Sequence, residues 1–211
     1  MDRALRWSLL LFTGFLLVTQ QVLTFGPLVE YDKKINSDPK PQFEGLAGFL
    51  LRRLDDLGLR GLTATVLILA ASFIAYKFKT WRPLNLAFLS LVLLNLVVGV
   101  SKLVLGRTKP RDGFDLLHAG GMSYPSGHAS NAVLSWGILA YLIYRYAKVD
   151  RYQGRLASAG VAAISLTVCI VSLIRHTHWF TDLLGGLFIG SALLVAVIAV
   201  DRYVPSKSQL H

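Results

Sequence analysis

The 211 residues are 54% hydrophobic and only 16% charged, with a mean hydropathy of +0.52, a balance that excludes an ordinary soluble domain of this length. The formal net charge of +10 invites a nucleic-acid reading. The lysines and arginines, however, are distributed as loop charge between apolar runs rather than gathered in a patch, so no nucleic-acid partner is expected.

Hydropathy predicts six transmembrane helices, at about 6–26, 59–77, 83–105, 127–146, 156–175 and 180–200. Each approaches the roughly 20 residues needed to cross a hydrocarbon core about 30 Å thick. The expected class is therefore an all-α, polytopic membrane protein. A soluble helical bundle is the competing reading, but it needs polar faces on most helices, and 83–105 and 183–200 show almost none.

In the first run, Arg3 and Arg6 precede an apolar stretch that continues past Leu17, and Gln20, Gln21 and Thr24 offer no small-residue cleavage pattern. It reads as a retained helix rather than a signal peptide. The segment 27–58 mixes acids and bases. Within it, Phe43 to Leu59 sets Leu46, Phe49, Leu50, Leu54 and Leu57 against Arg52, Arg53, Asp55 and Asp56, which predicts an interfacial amphipathic helix in the first external loop. Lys77, Lys79 and Arg82 fill the turn between the second and third helices; Arg145, Lys148, Arg151 and Arg155 fill that between the fourth and fifth. Both turns are nearly free of acids. The positive-inside rule places them and both termini in the cytoplasm, and the loops 27–58, 106–126 and around 176–180 outside. No internal repeat or second domain is visible, so 1–211 reads as one membrane-embedded domain. Cys169, the single cysteine, lies mid-helix and reads as a small core residue.

Three polar blocks fall at the outward ends of helices three to six. In the first, Lys102 interrupts a run that is otherwise apolar from Leu84 to Leu105, and Lys109 follows in the loop. An intramembrane lysine is expensive and faces a polar site unless it snorkels from a helix end; with Lys109 and two histidines nearby, an anion site is the favoured reading. The second block, Tyr124-Pro125-Ser126-Gly127-His128, opens the fourth helix. Ser126 is a good N-cap, the free amides of a first turn attract phosphate, and Gly127 lets an anion approach the backbone. On its own the block reads equally as a helix cap with an incidental histidine. The third block places His178 and Asp182 four residues apart on one helix face. A carboxylate on one ring nitrogen fixes the tautomer and raises the nucleophilicity of the other. His178 is then the candidate nucleophile on phosphorus and His128 the general acid and base; a structural polar pair is the bland alternative. His118 and His176 lie close by, but neither has an acid four residues on.

Together these blocks resemble the signature of the type-2 phosphatidic acid phosphatase superfamily, membrane lipid phosphatases whose pattern is Lys-x6-Arg-Pro, Pro-Ser-Gly-His and Ser-Arg-x5-His-x3-Asp. The likeness covers about 60–200. It implies that Lys102 and Lys109 bind phosphoryl oxygens, that Ser126 and Gly127 supply further donors, that His128 is the acid, His178 the nucleophile and Asp182 its orienter, and that no metal or other cofactor is needed. Two departures stand out. Lys109 replaces the family arginine, a point charge for a bidentate fork. Val171 and Ser172 replace Ser-Arg, and the nearest arginine, Arg175, is a helical turn away, expected to bind phosphate in its place if the helix end shifts or unwinds and otherwise to be an interfacial anchor, leaving the site one cation fewer. The implied activity is hydrolysis of a lipid phosphate or diphosphate in the plasma membrane, with a polyprenyl diphosphate favoured. Phosphatidylglycerol phosphate, phosphatidic acid or a prenyl-linked sugar phosphate are the alternatives, as is transfer of the phosphoryl group to another acceptor. A transport protein or an inactive lipid-binding relative is the rival class; the absence of related halves and the presence of both histidines and the aspartate argue against it.

Overall fold

The computed structural model describes residues 2–37, 41, 43–147 and 149–204. Among them every long element is a helix: α1 (Asp2–Leu23), α2 (Pro27–Ser37), α3 (Gly45–Asp55), α4 (Arg60–Phe78), α5 (Arg82–Leu105), α6 (Gly127–Tyr146), α7 (Arg151–Ile174) and α8 (Phe180–Tyr203), with 3-10 turns at Asp56–Gly58 and Pro110–Asp112.

Among the described residues, five segments are long and apolar enough to cross a membrane: α1, α4, α5 with the turn that follows it, α7 and α8. The sixth predicted segment is α6, which has the expected bounds but less apolar character because Ser130, Asn131 and Ser135 join His128 on it. These polar groups are tolerable because α6 is central. It contacts α4, α5, α7 and α8, and Ala129, Ala132, Leu134 and Ile138 are fully buried. Small residues at such contacts (Ala71, Ala87, Ala192) let helices approach closely where lipid gives no hydrophobic drive for association. α1 runs antiparallel to α8: Ser8 donates to the Ala192 carbonyl at 2.9 Å near one end, and Thr19 lies 2.7 Å from the Tyr124 hydroxyl near the other.

The first loop differs from expectation. It holds two helices, because α2 precedes the expected amphipathic one. Glu30, Asp32, Lys33 and Lys34 deprive α2 of an apolar run, and it forms by docking Val29 and Asp32 into the bundle against α1 and α8. α3 covers the predicted amphipathic segment. It packs on α7 through Asp55 while Leu46, Phe49, Leu50 and Leu54 stay exposed.

At one end of the bundle Asp201 of α8 accepts from Arg82 Nε at 2.6 Å, Arg145 Nη1 at 2.7 Å and the Tyr141 hydroxyl at 2.6 Å. This ties the start of α5 and the end of α6 to the end of α8. The three polar blocks converge at the opposite end.

Candidate active site

α5 stops at Gly106, whose φ of +54° suits a residue without Cβ and whose amide donates to the Lys102 carbonyl. The chain then folds back over the helix end. His118 N–H donates to Leu105 O at 2.8 Å, Gly121 N–H to Gly106 O at 3.0 Å and Ser123 N–H to Arg107 O at 3.0 Å. This return delivers Tyr124 and Pro125 to the start of α6. There Ser126 caps the helix, accepting from Ala129 N–H at 3.3 Å, and its own amide donates to the Asp182 carbonyl at 2.9 Å. The starts of α6 and α8 are thereby held together.

Between them lies a cavity of about 430 Å³ lined by Lys102, Lys109, Gly127, His128 and His178, and continuing between α4 and α5 past Arg60 and Asn95. Five of the sequence-expected residues thus share one space. Ser126 is buried behind it as the helix cap. The His128 and His178 rings are 6.1 Å apart and tilted by 58° across the opening. His178 Nδ1 lies 3.4 Å from Asp182 Oδ2, which leaves Nε2 as the nitrogen available to the cavity. That contact is longer than the usual N–H···O hydrogen bond. The same Oδ2 also accepts from the Trp179 amide at 3.0 Å and from the Ser123 hydroxyl. Lys102 donates to the Met122 carbonyl, and neither Lys102 nor Lys109 has a carboxylate partner among the described residues. The cavity therefore carries uncompensated positive charge. Among the described residues no set of three His, Cys, Asp or Glu side chains is grouped to hold a metal.

Arg107 is the residue that sequence reasoning missed. It is fully buried, with Nη1 2.8 Å from Asp182 Oδ1 and 2.7 Å from Thr181 Oγ1, Nη2 2.8 Å from Asp32, and Nε 2.7 Å from Asp115. The Trp179 indole stands 5.4 Å from the guanidinium carbon. Burial pushes the Asp32 carboxyl up from its ordinary value, against the opposing pull of Arg107 and Thr181. Arg107 fixes Asp182 from behind, so it acts through the aspartate and not on a ligand. Its presence inside the first block was the one visible signal.

Arg175 goes elsewhere. It pairs with Asp55 of α3, whose other oxygen accepts from Ser172 at 3.0 Å, and it does not line the cavity. α7 ends in regular fashion with Arg175 as its cap, so the helix end is not unwound there. His118 and His176 also stand outside the cavity lining; His176 Nδ1 is 2.6 Å from Asn36 Oδ1 of α2.

A family model for the PAP2 superfamily matches residues 83–205, which contain all three blocks. The chain belongs to the PAP2 superfamily. It is accordingly a membrane-embedded phosphatase of that superfamily, acting on lipid phosphate. It is similar to phosphatidylglycerophosphatase B of Bacillus subtilis (strain 168), with 27% identity over 146 residues, 66% of this chain and 67% of the relative. The fold is similar to the crystal structure of a transmembrane PAP2-type phosphatidylglycerolphosphate phosphatase from Bacillus subtilis, with a TM-score of 0.82, 22% identity and coverage of 95% of this chain and 98% of that one. That likeness extends the shared architecture to α1–α4, ahead of the residues matched by the family model.

Proposed function

We propose that this PAP2 phosphatase releases the terminal phosphate of phosphatidylglycerol phosphate through a phosphohistidine on His178. The observation that carries the reading is the cavity in which the two imidazoles face each other among unpaired cations. The similarity to phosphatidylglycerophosphatase B supports this substrate over a polyprenyl diphosphate.

The residues divide the work as follows. His178 Nε2 attacks phosphorus and the bond to the lipid oxygen breaks, with His128 donating its proton to the departing oxygen. Water then attacks the phosphohistidine and gives a proton back to His128; inorganic phosphate leaves and both histidines are restored. Asp182 steadies the ring, and its charge favours the imidazolium-like phosphohistidine. Lys102, Lys109 and the amides opening α6 hold the phosphoryl oxygens. Gly127 keeps that approach open, since a Cβ there would meet nothing nearer than Lys102 Cε at 4.0 Å.

The site faces the outside of the plasma membrane and both termini face the cytoplasm. Supporting this, the basic α4–α5 and α6–α7 turns and the two terminal helix ends share the Asp201 end of the bundle: Arg82 reaches Asp201, the Phe78 and Tyr146 rings meet tilted with centroids 5.1 Å apart, and Arg3 shares a groove with Arg202. A cysteine introduced at Asp112 should react with an impermeant thiol reagent on intact cells, and one at Arg151 should not; reversed labelling overturns the orientation.

Phosphate release by the detergent-purified protein, compared across phosphatidylglycerol phosphate, phosphatidic acid and a polyprenyl diphosphate, tests the substrate. Acid-labile radiolabel trapped on wild type and absent from His178→Ala tests the intermediate. Release from none of the lipids overturns the functional reading.

A further inference from the structure

Lys102, Lys109 and the Gly127 amide suffice to hold one phosphate, yet the cavity contains a further cation. Arg60, the first residue of α4, lines it and donates from Nη1 to Asn95 Oδ1 at 2.8 Å. Asn95 is itself fixed, donating from Nδ2 to the Leu91 carbonyl of its own helix at 2.7 Å. It precedes Lys102 by seven residues, so both lie on one face of α5, separated by two turns or about 10 Å. Arg60 makes no ion pair among the described residues. A single bond to a neutral amide leaves its charge and most of its five donors unused. Arg60, Lys102 and Lys109 all line this one cavity.

Asn131 adds an independent observation. It lies on α6 three residues after His128, on the same face, and lines the same cavity. Its Nδ2 donates to the Gly127 carbonyl at 2.7 Å, which fixes the amide's orientation. Its Oδ1 is buried and accepts a hydrogen bond from no described residue. Such an acceptor suits a hydroxyl group, and it opposes a phosphate oxygen.

We propose that Arg60, positioned by Asn95, binds a second phosphate of the lipid, one ester bridge removed from the phosphate at His178, and that Asn131 Oδ1 accepts from a hydroxyl on that bridge. The substrate class is then a glycerol-bridged bisphosphate: a terminal monoester, a glycerol with one free hydroxyl, and a phosphodiester leading to the tails. This rests on the reading that the terminal phosphate sits at His178. A diphosphate fits less well, because its two phosphorus atoms share one oxygen and it carries no hydroxyl between them for Asn131 to accept from. Phosphatidic acid has only one phosphate and leaves Arg60 unengaged.

The test compares phosphatidylglycerol phosphate and phosphatidic acid in mixed micelles as substrates of wild type, Arg60→Ala and Arg60→Lys. Arg60→Ala should lower the kcat/KM preference for the bisphosphate lipid by about 10- to 100-fold, the loss expected for one charge-assisted contact. Arg60→Lys should restore part of it. An unchanged preference in Arg60→Ala, with wild type active on both lipids, overturns the inference and leaves the phosphatase reading standing. Wild type that hydrolyses neither lipid removes both. A measurement on wild type alone guards against a misfolded variant: soluble glycerol 1,3-bisphosphate should inhibit at concentrations about tenfold lower than glycerol phosphate. Equal inhibition by the two also overturns the inference.

Discussion

Asp201 at one end of the bundle and Asp182 at the other are both buried carboxylates held by arginine, but their surroundings differ in a way that separates structure from chemistry. Asp201 is bound by Arg82, Arg145 and Tyr141, with no histidine in the cluster. Asp182 divides its oxygens between Arg107 and a histidine whose other nitrogen faces a cavity, and that cavity keeps Lys102, Lys109 and Arg60 without acidic partners among the described residues. A buried ion pair is weak evidence of anything beyond packing. Unpaired cations beside open volume and a polarised histidine mark a site that expects an anion.

The sharpest way to break this contrast is to remove the group that only one end possesses. His178→Ala should cut phosphate release by roughly a thousandfold or more, as loss of a covalent nucleophile does, while the thermal unfolding midpoint in detergent stays near that of wild type. Turnover within tenfold of wild type would mean that the cavity does not use this histidine.

Arg107→Met should be the most destabilising change at the site end. It strands buried carboxylates from α2, the 107–123 segment and α8, at a cost of about 3–5 kcal/mol, and activity should fall with the loss of a fixed Asp182. The matched change at the other end, Asp201→Asn, should lower the unfolding midpoint by less, about 1–3 kcal/mol, with KM unaltered. If Asp201→Asn raises KM as strongly as Arg107→Met, the division between the two ends fails.

Gly58→Ala tests how tightly the first loop sets the catalytic backbone. A Cβ at Gly58 would lie 2.6 Å from the His128 carbonyl oxygen, so the 3-10 turn or the start of α6 must move. Overpacking of this kind costs about 1–3 kcal/mol, and turnover should drop while KM changes little. Full activity would show that His128 tolerates displacement.

The smallest effect is expected at Arg175. Because its guanidinium is engaged by Asp55, Arg175→Ala should change KM by less than about tenfold, the range of a partly exposed ion pair, and appear mainly as a lower unfolding midpoint. A larger rise in KM would return Arg175 to the phosphate.

Much of the framework was legible beforehand because it is encoded locally. Apolar runs give the six long helices their approximate bounds, the Ser126 cap marks the start of α6, and the four-residue spacing of His178 and Asp182 puts them on one face. α2 was not legible, because its charged residues hide a helix that forms only when Asp32 docks on Thr181 and Arg107. The partner of Arg175 was not legible for a related reason. Position along α7 placed it near the site, but Asp55, 120 residues away in sequence, claimed the charge.

The sequence by itself determined a membrane-embedded helical protein, its family blocks and the residue types available for phosphate chemistry, since hydropathy, capping and helical periodicity act over a few turns of chain. Only the tertiary structure decided which cations remain free to meet a substrate. Arg107, Arg175 and Arg60 look alike as basic residues near helix ends, yet the first is buried among Asp32, Asp115 and Asp182, the second is paired with Asp55, and the third faces the cavity bonded to Asn95 with no carboxylate partner among the described residues. Charge compensation is a contest among groups far apart in the chain, and folding settles it by bringing a carboxylate to one guanidinium and not to another.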